Sequence, residues 1–144
     1  MRRSWLAVPL LLLGACTGPV RSFEVYESKA GQTAEVAASA VQTAVLAAEA
    51  ARGGKAPGRY LTQLLVEAEE TASSAQGTFD AIQPPDRRAD ELRGRLDDLL
   101  TQATDTLAEL RIAARRGHTA ELAEPAAPLE ELAGKLHAFA EAHG

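Results

Sequence analysis

The sequence predicts an all-α protein, an antiparallel up-down four-helix bundle that follows a short leader and a tether. Three observations carry this prediction. The strong helix formers Ala, Leu, Glu, Arg and Gln dominate the 144 residues, and no run rich in β-branched and aromatic residues occurs. Apolar residues recur in steps of three and four within four separate stretches. Short segments containing Gly or Pro divide those stretches, which lets successive helices fold back alongside one another. Apolar residues make up 46% of the chain but aromatics only 4%. Alanine is the commonest apolar residue and buries little area, so leucines with a few Val, Ile and Phe must hold the core. At roughly 1.5–3 kcal/mol per buried side chain, about fifteen of them sustain one small core against chain entropy.

The first element is the leader, residues 1–15. Met1-Arg2-Arg3 is a positive start, Trp5 to Leu13 is apolar apart from Pro9, and Gly14-Ala15 are small. That is the plan of a secretory signal peptide. A membrane span needs about 20 apolar residues, and this run is roughly half as long. The later Ala34–Ala51 stretch is interrupted by Glu35, Ser39, Gln42, Thr43 and Glu49, so it is no span either.

Leu13-Gly14-Ala15-Cys16 resembles the lipobox of bacterial lipoproteins: an aliphatic residue, two small ones, then an obligatory cysteine. The resemblance implies that the Cys16 thiol takes a diacylglyceryl group and that a signal peptidase, recognising Leu13, Gly14 and Ala15, cuts just before it. The new N-terminus is then open to acylation, for example by palmitate. The chemistry is consistent with the residues. A thioether needs a nucleophilic sulfur, and a protease that cuts here needs small side chains. The plainer alternative is an ordinary signal peptide, cut after Ala15, that leaves a free Cys16. Cys16 is the single cysteine, so a disulfide within the chain is excluded. Two acyl chains, at about 0.8 kcal/mol per buried CH₂, hold a protein stably on a bilayer. The pair Arg2-Arg3 faintly resembles a twin-arginine signal, but the short positive segment favours the general secretory route. The expected location is the extracytoplasmic face of the cell membrane.

Residues 16–28 then read as the lipidated cysteine and a tether, broken early by Gly18-Pro19, with Phe23, Val25 and Tyr26 free to dock on the body. Twelve extended residues reach roughly 40 Å. The bundle itself spans 29–144. Its first helix, about 30–52, carries Ala34, Ala37, Val41, Ala44, Val45 and Ala48 on one face and stops at Gly53-Gly54. The second, about 59–82, repeats Leu61, Leu65, Ala68, Ala72, Ala75, Phe79 and Ile82 in alternating steps of four and three, a heptad seam. Gln83-Pro84-Pro85 ends it.

The third helix, about 85–116, is expected to take Pro85 in its first turn and Asp86, Asp90 and Glu91 at the positive end of its dipole. Its core stripe is Leu92, Leu96, Leu99, Ala103, Leu107, Leu110 and Ala114, and Gly117 closes it. A fourth segment, about 119–143, carries Leu129, Leu132, Leu136 and Phe139, with a break or kink expected at Pro125–Pro128.

The search for site chemistry returns little. Di-iron bundles use Glu-x-x-His pairs, but the residues three before His118, His137 and His143 are Arg115, Gly134 and Ala140. No haem-attachment motif occurs, so neither cofactor nor metal is expected. His137 follows the core residue Leu136 and reads as a boundary side chain. Glu67, Glu69, Glu70 and Glu49 read as a solvated acidic face, and Glu91/Arg95 and Arg93/Asp97 as surface i,i+4 pairs. Ser73-Ser74 lacks plausible His and Asp partners for nucleophilic catalysis. Gly77 suggests a close helix contact. Two of the 15 Lys+Arg, Arg2 and Arg3, precede Cys16, leaving 13 against 20 acidic residues in the rest of the chain, net −7. Such a body excludes nucleic acid as an expected partner.

The segments "QPPDRRADELRGRLDDLL" and "LAELRIAARRG" resemble those of uncharacterised Ala/Arg-rich helical lipoproteins of actinobacteria. That resemblance implies a helical bundle behind a lipobox and no catalytic residues. The expected function is a lipid-anchored, non-enzymatic interaction or envelope-associated module with an envelope protein partner. The alternative is a bundle that holds a small molecule or lipid in an internal apolar pocket beside Ala68, Ala72, Ala75 and Phe79.

Overall fold

The computed structural model of the protein describes residues 22–55, 57–118 and 122–144. Four helices fill them: α1 (Phe23–Arg52), α2 (Gly58–Asp80), α3 (Arg87–Arg115) and α4 (Ala123–His143). The expected all-α four-helix architecture is present, and contacts join all four helices. Cross-helix pairs give the directions. Glu27 meets His143 and Glu35 meets His137, so α1 and α4 run antiparallel. Glu69 meets Arg111 and Asp80 meets Arg93, so α2 and α3 do too.

α1 starts at Phe23, well before the expected Ala30. Ser22, in extended conformation, accepts a hydrogen bond from the Val25 N–H and caps the helix. Residues 23–28, expected in the tether, therefore form its first turns, and Tyr26 is fully buried. The Glu24 carboxyl is held below the usual carboxylate range by its own backbone N–H and then by Ser22.

α1 is the central helix. It buries Ala34, Ala37, Val41, Ala44, Val45 and Ala48 as expected, and also Ala30, Ala38, Ala40 and Ala47 on adjoining faces. It packs against α2, α3 and α4, and its interface with α4 is the most extensive in the bundle. α1 and α3 form the short diagonal. Small alanine side chains explain why a backbone can sit so close to three others.

The α2 seam holds: Leu61, Leu65, Ala68, Ala72 and Phe79 are buried, with Ala75 and Ile82 half-buried at its edge. α3 differs in two respects. Its cap is Asp86, whose Oδ1 accepts from the Ala89 N–H at 2.9 Å, and Pro85 lies outside the helix. Its stripe passes through Leu100, fully buried, whereas Leu99 is only half-buried. From Ala89 to Leu100 to Leu107 the spacing is 3, 4, 4, 3, 4, so an eleven-residue step replaces the strict heptad at the start of the helix.

α4 is continuous from Ala123 to His143, with Pro128 inside it, so the expected break is not there. Pro125 falls in the first turn, where backbone N–H groups have no intrahelical acceptor anyway. Pro128 removes one backbone hydrogen bond, and its ring is exposed. Leu129, Leu132, Leu136 and Phe139 line the buried face.

Candidate functional site

Leu13, Gly14, Ala15 and Cys16 lie outside the described residues. The described residues fix where the chain enters the body. Ser22 caps α1 six positions after Cys16, so a linker of this length reaches at most roughly 20 Å, half the span a longer tether would give. The end of the bundle that receives it is aromatic. All three phenylalanines of the chain, Phe23, Phe79 and Phe139, sit there with Tyr26. Tyr26 and Phe79 pack with ring centroids 5.1 Å apart. The Arg88 guanidinium lies 3.9 Å over the Phe23 ring. Phe139 packs on His143 at 4.6 Å, and His143 Nδ1 is 2.8 Å from Glu27 Oε1.

Two atoms at this end are unusual. The Tyr26 hydroxyl is buried with no hydrogen-bond partner among the described residues, and burial raises its phenol above the ordinary value of 10.0. Gly31, the close-contact glycine, lies against the carbonyl of His143. Gly77, expected in that role, faces open space.

The acidic residues are distributed differently from the sequence reading. Glu69 is not on a solvated face. It forms a two-pronged, largely screened pair with Arg111 of α3, one prong joining Arg111 Nη2 and Glu69 Oε1 at 3.3 Å, and this pairing raises the arginine's affinity for its proton. Glu67 accepts from Gln63. Glu91 pairs with Arg87, not Arg95. Arg93 pairs with Asp80 across the α2–α3 turn, while Asp97 accepts from Gln76. His137 is exposed, as expected of a boundary side chain, and stands between Glu35 and Glu141 at 3.3 and 3.5 Å. No cluster of three His, Cys, Asp or Glu side chains with metal-binding geometry occurs among the described residues. No described helix is long and apolar enough to cross a membrane.

Ala68 and Ala72, placed in the sequence beside an internal pocket, are packed in the core. Ala75 and Phe79 instead line a groove of about 710 Å³ between α1 and α2, open to solvent, with Val36 and Ile82 as its other apolar members and Lys29 and Glu70 at its edges. A second open groove of about 690 Å³ runs between α1 and α4 past Leu46, Glu49, Ala133 and His137.

The opposite end of the bundle is made by two similar turns. After α1, the Lys55 N–H bonds the Ala50 carbonyl and the Gly54 N–H bonds that of Ala51, with Gly54 at φ +64°. After α3, the His118 N–H bonds the Ala113 carbonyl and the Gly117 N–H bonds that of Ala114, with Gly117 at φ +79°. Both are Schellman caps, in which a left-handed residue, most easily glycine, closes the helix. Each sets cations around its glycine: Arg52 and Lys55 at the first, Arg115 and Arg116 at the second. Comparison of the chain with protein-family models, curated proteins and solved structures finds no match.

Proposed function

We propose that the chain is a lipid-anchored helical-bundle lipoprotein on the extracytoplasmic face of the cell membrane, acting there as a non-enzymatic, envelope-associated interaction module. The observation that supports it is the junction of leader and body. An apolar run closes on Leu13-Gly14-Ala15-Cys16, and the rigid body begins at the Ser22 cap only six residues later. On this reading the diacylglyceryl-modified Cys16 holds the aromatic end of the bundle within roughly 20 Å of the bilayer, and the helices stand outward from it.

The test is metabolic labelling with a radioactive fatty acid, followed by fractionation. The wild-type protein should carry label and sediment with membranes. Cys16→Ser should lose the label and leave the membrane fraction. A Cys16→Ser protein with unchanged mass that stays membrane-bound would overturn the proposal.

A further inference from the structure

The charged side chains of the bundle differ between its two ends. Near the aromatic end, Arg87 pairs with Glu91, Arg93 pairs with Asp80 and Arg88 lies on Phe23, while Lys29 and Arg95 have no ion-pair partner among the described residues. At the opposite end Arg52, Lys55, Arg59, Arg115 and Arg116 are all exposed, and none has an ion-pair partner among the described residues. In sequence, Glu49, Glu109, Glu121 and Glu124 flank the two turns, one fewer than the five cations. No acidic residue occurs between Glu49 and Glu67, or between Glu109 and Glu121. The two turns at this tip therefore carry cations without acidic residues, on a chain that is acidic as a whole.

Local helix energetics account for part of it. Arg52 and Arg115 occupy last turns, where a cation suits the negative end of the dipole. Lys55 and Arg116 lie beyond those turns. Arg59 stands in the first turn of α2, the positive end, in a turn with no acidic residue. Its position opposes the dipole and works against the helix that holds it. Beside it Tyr60 is 60% exposed.

We propose that this tip is a binding surface for an anionic glycopolymer. Its repeating phosphate or carboxylate groups are met by Arg52, Lys55, Arg59, Arg115 and Arg116, and its sugar or polyol backbone lies across the Tyr60 ring. Guanidinium groups match both oxyanions with paired donors. A protein partner would need a buried apolar centre at its interface, whereas this end offers three exposed large apolar side chains among the described residues, Leu46, Tyr60 and Ile112, beside its charged and glycine-bearing turns. α1 is about 45 Å long at 1.5 Å per residue, so the tip faces away from a bilayer that holds the aromatic end. The orientation rests on the anchored-module reading; the binding itself does not, and it can be measured whether or not Cys16 is lipidated.

The experiment compares two charge-matched double variants of the full chain in neutral-lipid nanodiscs. Arg115→Gln/Arg116→Gln removes two cations from the tip, and Arg87→Gln/Arg95→Gln removes two from the other end. Binding to poly(glycerol phosphate), polygalacturonate and neutral dextran is measured near 0.1 M salt, with helical content checked by circular dichroism. The wild type should bind one or both anionic polymers and not dextran. The polymer preferred identifies the oxyanion as phosphate or carboxylate. The tip variant should lose affinity about tenfold and show a shallower salt dependence, while the other stays within about twofold. Equal losses in both variants would overturn the proposal. So would no binding by the wild type, or binding to phosphatidylglycerol vesicles or duplex DNA as tight as to the polymers.

Discussion

The carbonyl oxygen of His143 lies 2.6 Å from the point that a Cβ on Gly31 would occupy. Backbone meets backbone there, so no side chain can rotate away to make room. Gly31→Ala improves helix propensity by about 1 kcal/mol, but the clash forces α1 and α4 apart, and overpacking of this kind costs about 1–3 kcal/mol. The variant should melt several degrees below wild type. Gly77→Ala and Gly94→Ala, where a Cβ meets nothing within 4 Å, should each gain about 1 kcal/mol. Thermal melts of the three variants check the contrast.

The Tyr26 hydroxyl has lost water without gaining a partner, at a cost of about 1–3 kcal/mol. Tyr26→Phe keeps the ring on Phe79 and should stabilise the bundle by about 1 kcal/mol in urea titration. The pH dependence has a definite sign. Burial raises the native phenol above 10.0, so the native state holds the proton more tightly than the unfolded chain. That advantage is intact below about pH 10 and is lost as pH rises through the native value. Wild type should therefore lose stability more steeply above pH 10 than Tyr26→Phe.

Glu69 and Arg111 join α2 to α3 through two prongs, with side chains 23% and 22% exposed. A double-mutant cycle of Glu69→Gln and Arg111→Gln should give a coupling energy of about 1 kcal/mol. The Arg87–Glu91 pair is 3.7 Å long and almost wholly exposed, and its cycle should be close to zero.

Pro128 leaves the Glu124 carbonyl without its helical donor while its own ring lies in solvent. Pro128→Ala restores the donor and removes no core contact. It should raise stability by about 1–3 kcal/mol, read as a higher melting temperature with unchanged cooperativity.

The sequence makes the number and type of elements legible because helix propensity, apolar spacing and turn residues agree with one another. The α2 seam is read residue by residue. The expected α3 stripe and the observed one each hold one pair of consecutive four-residue steps and differ in its place, so the stripe passes through Leu100 instead of the adjacent Leu99, both apolar and one position apart. The early start of α1 was signalled by Ser22 followed by Glu24, but Gly18-Pro19 suggested a longer irregular stretch. Pro125 and Pro128 suggested a break, yet one falls where no donor is needed and the other faces water. Pairings between helices, such as Glu69 with Arg111 or Arg93 with Asp80, depend on relative height and rotation, which no single helix encodes. The same holds for the cationic tip. Its members are scattered over 52–116, and only the up-down topology gathers them.

α1 is the helix against which every other helix is built, yet its largest interface is with α4, which lies furthest from it along the chain. As the polypeptide emerges from its N-terminal side, α1 comes first and must wait longest for its principal partner. Three reversals of the chain bring α4 back beside α1. The α1–α4 interface therefore closes the longest stretch of chain of any helix pair in the bundle, so the most extensive contact also carries the largest loop-closure entropy.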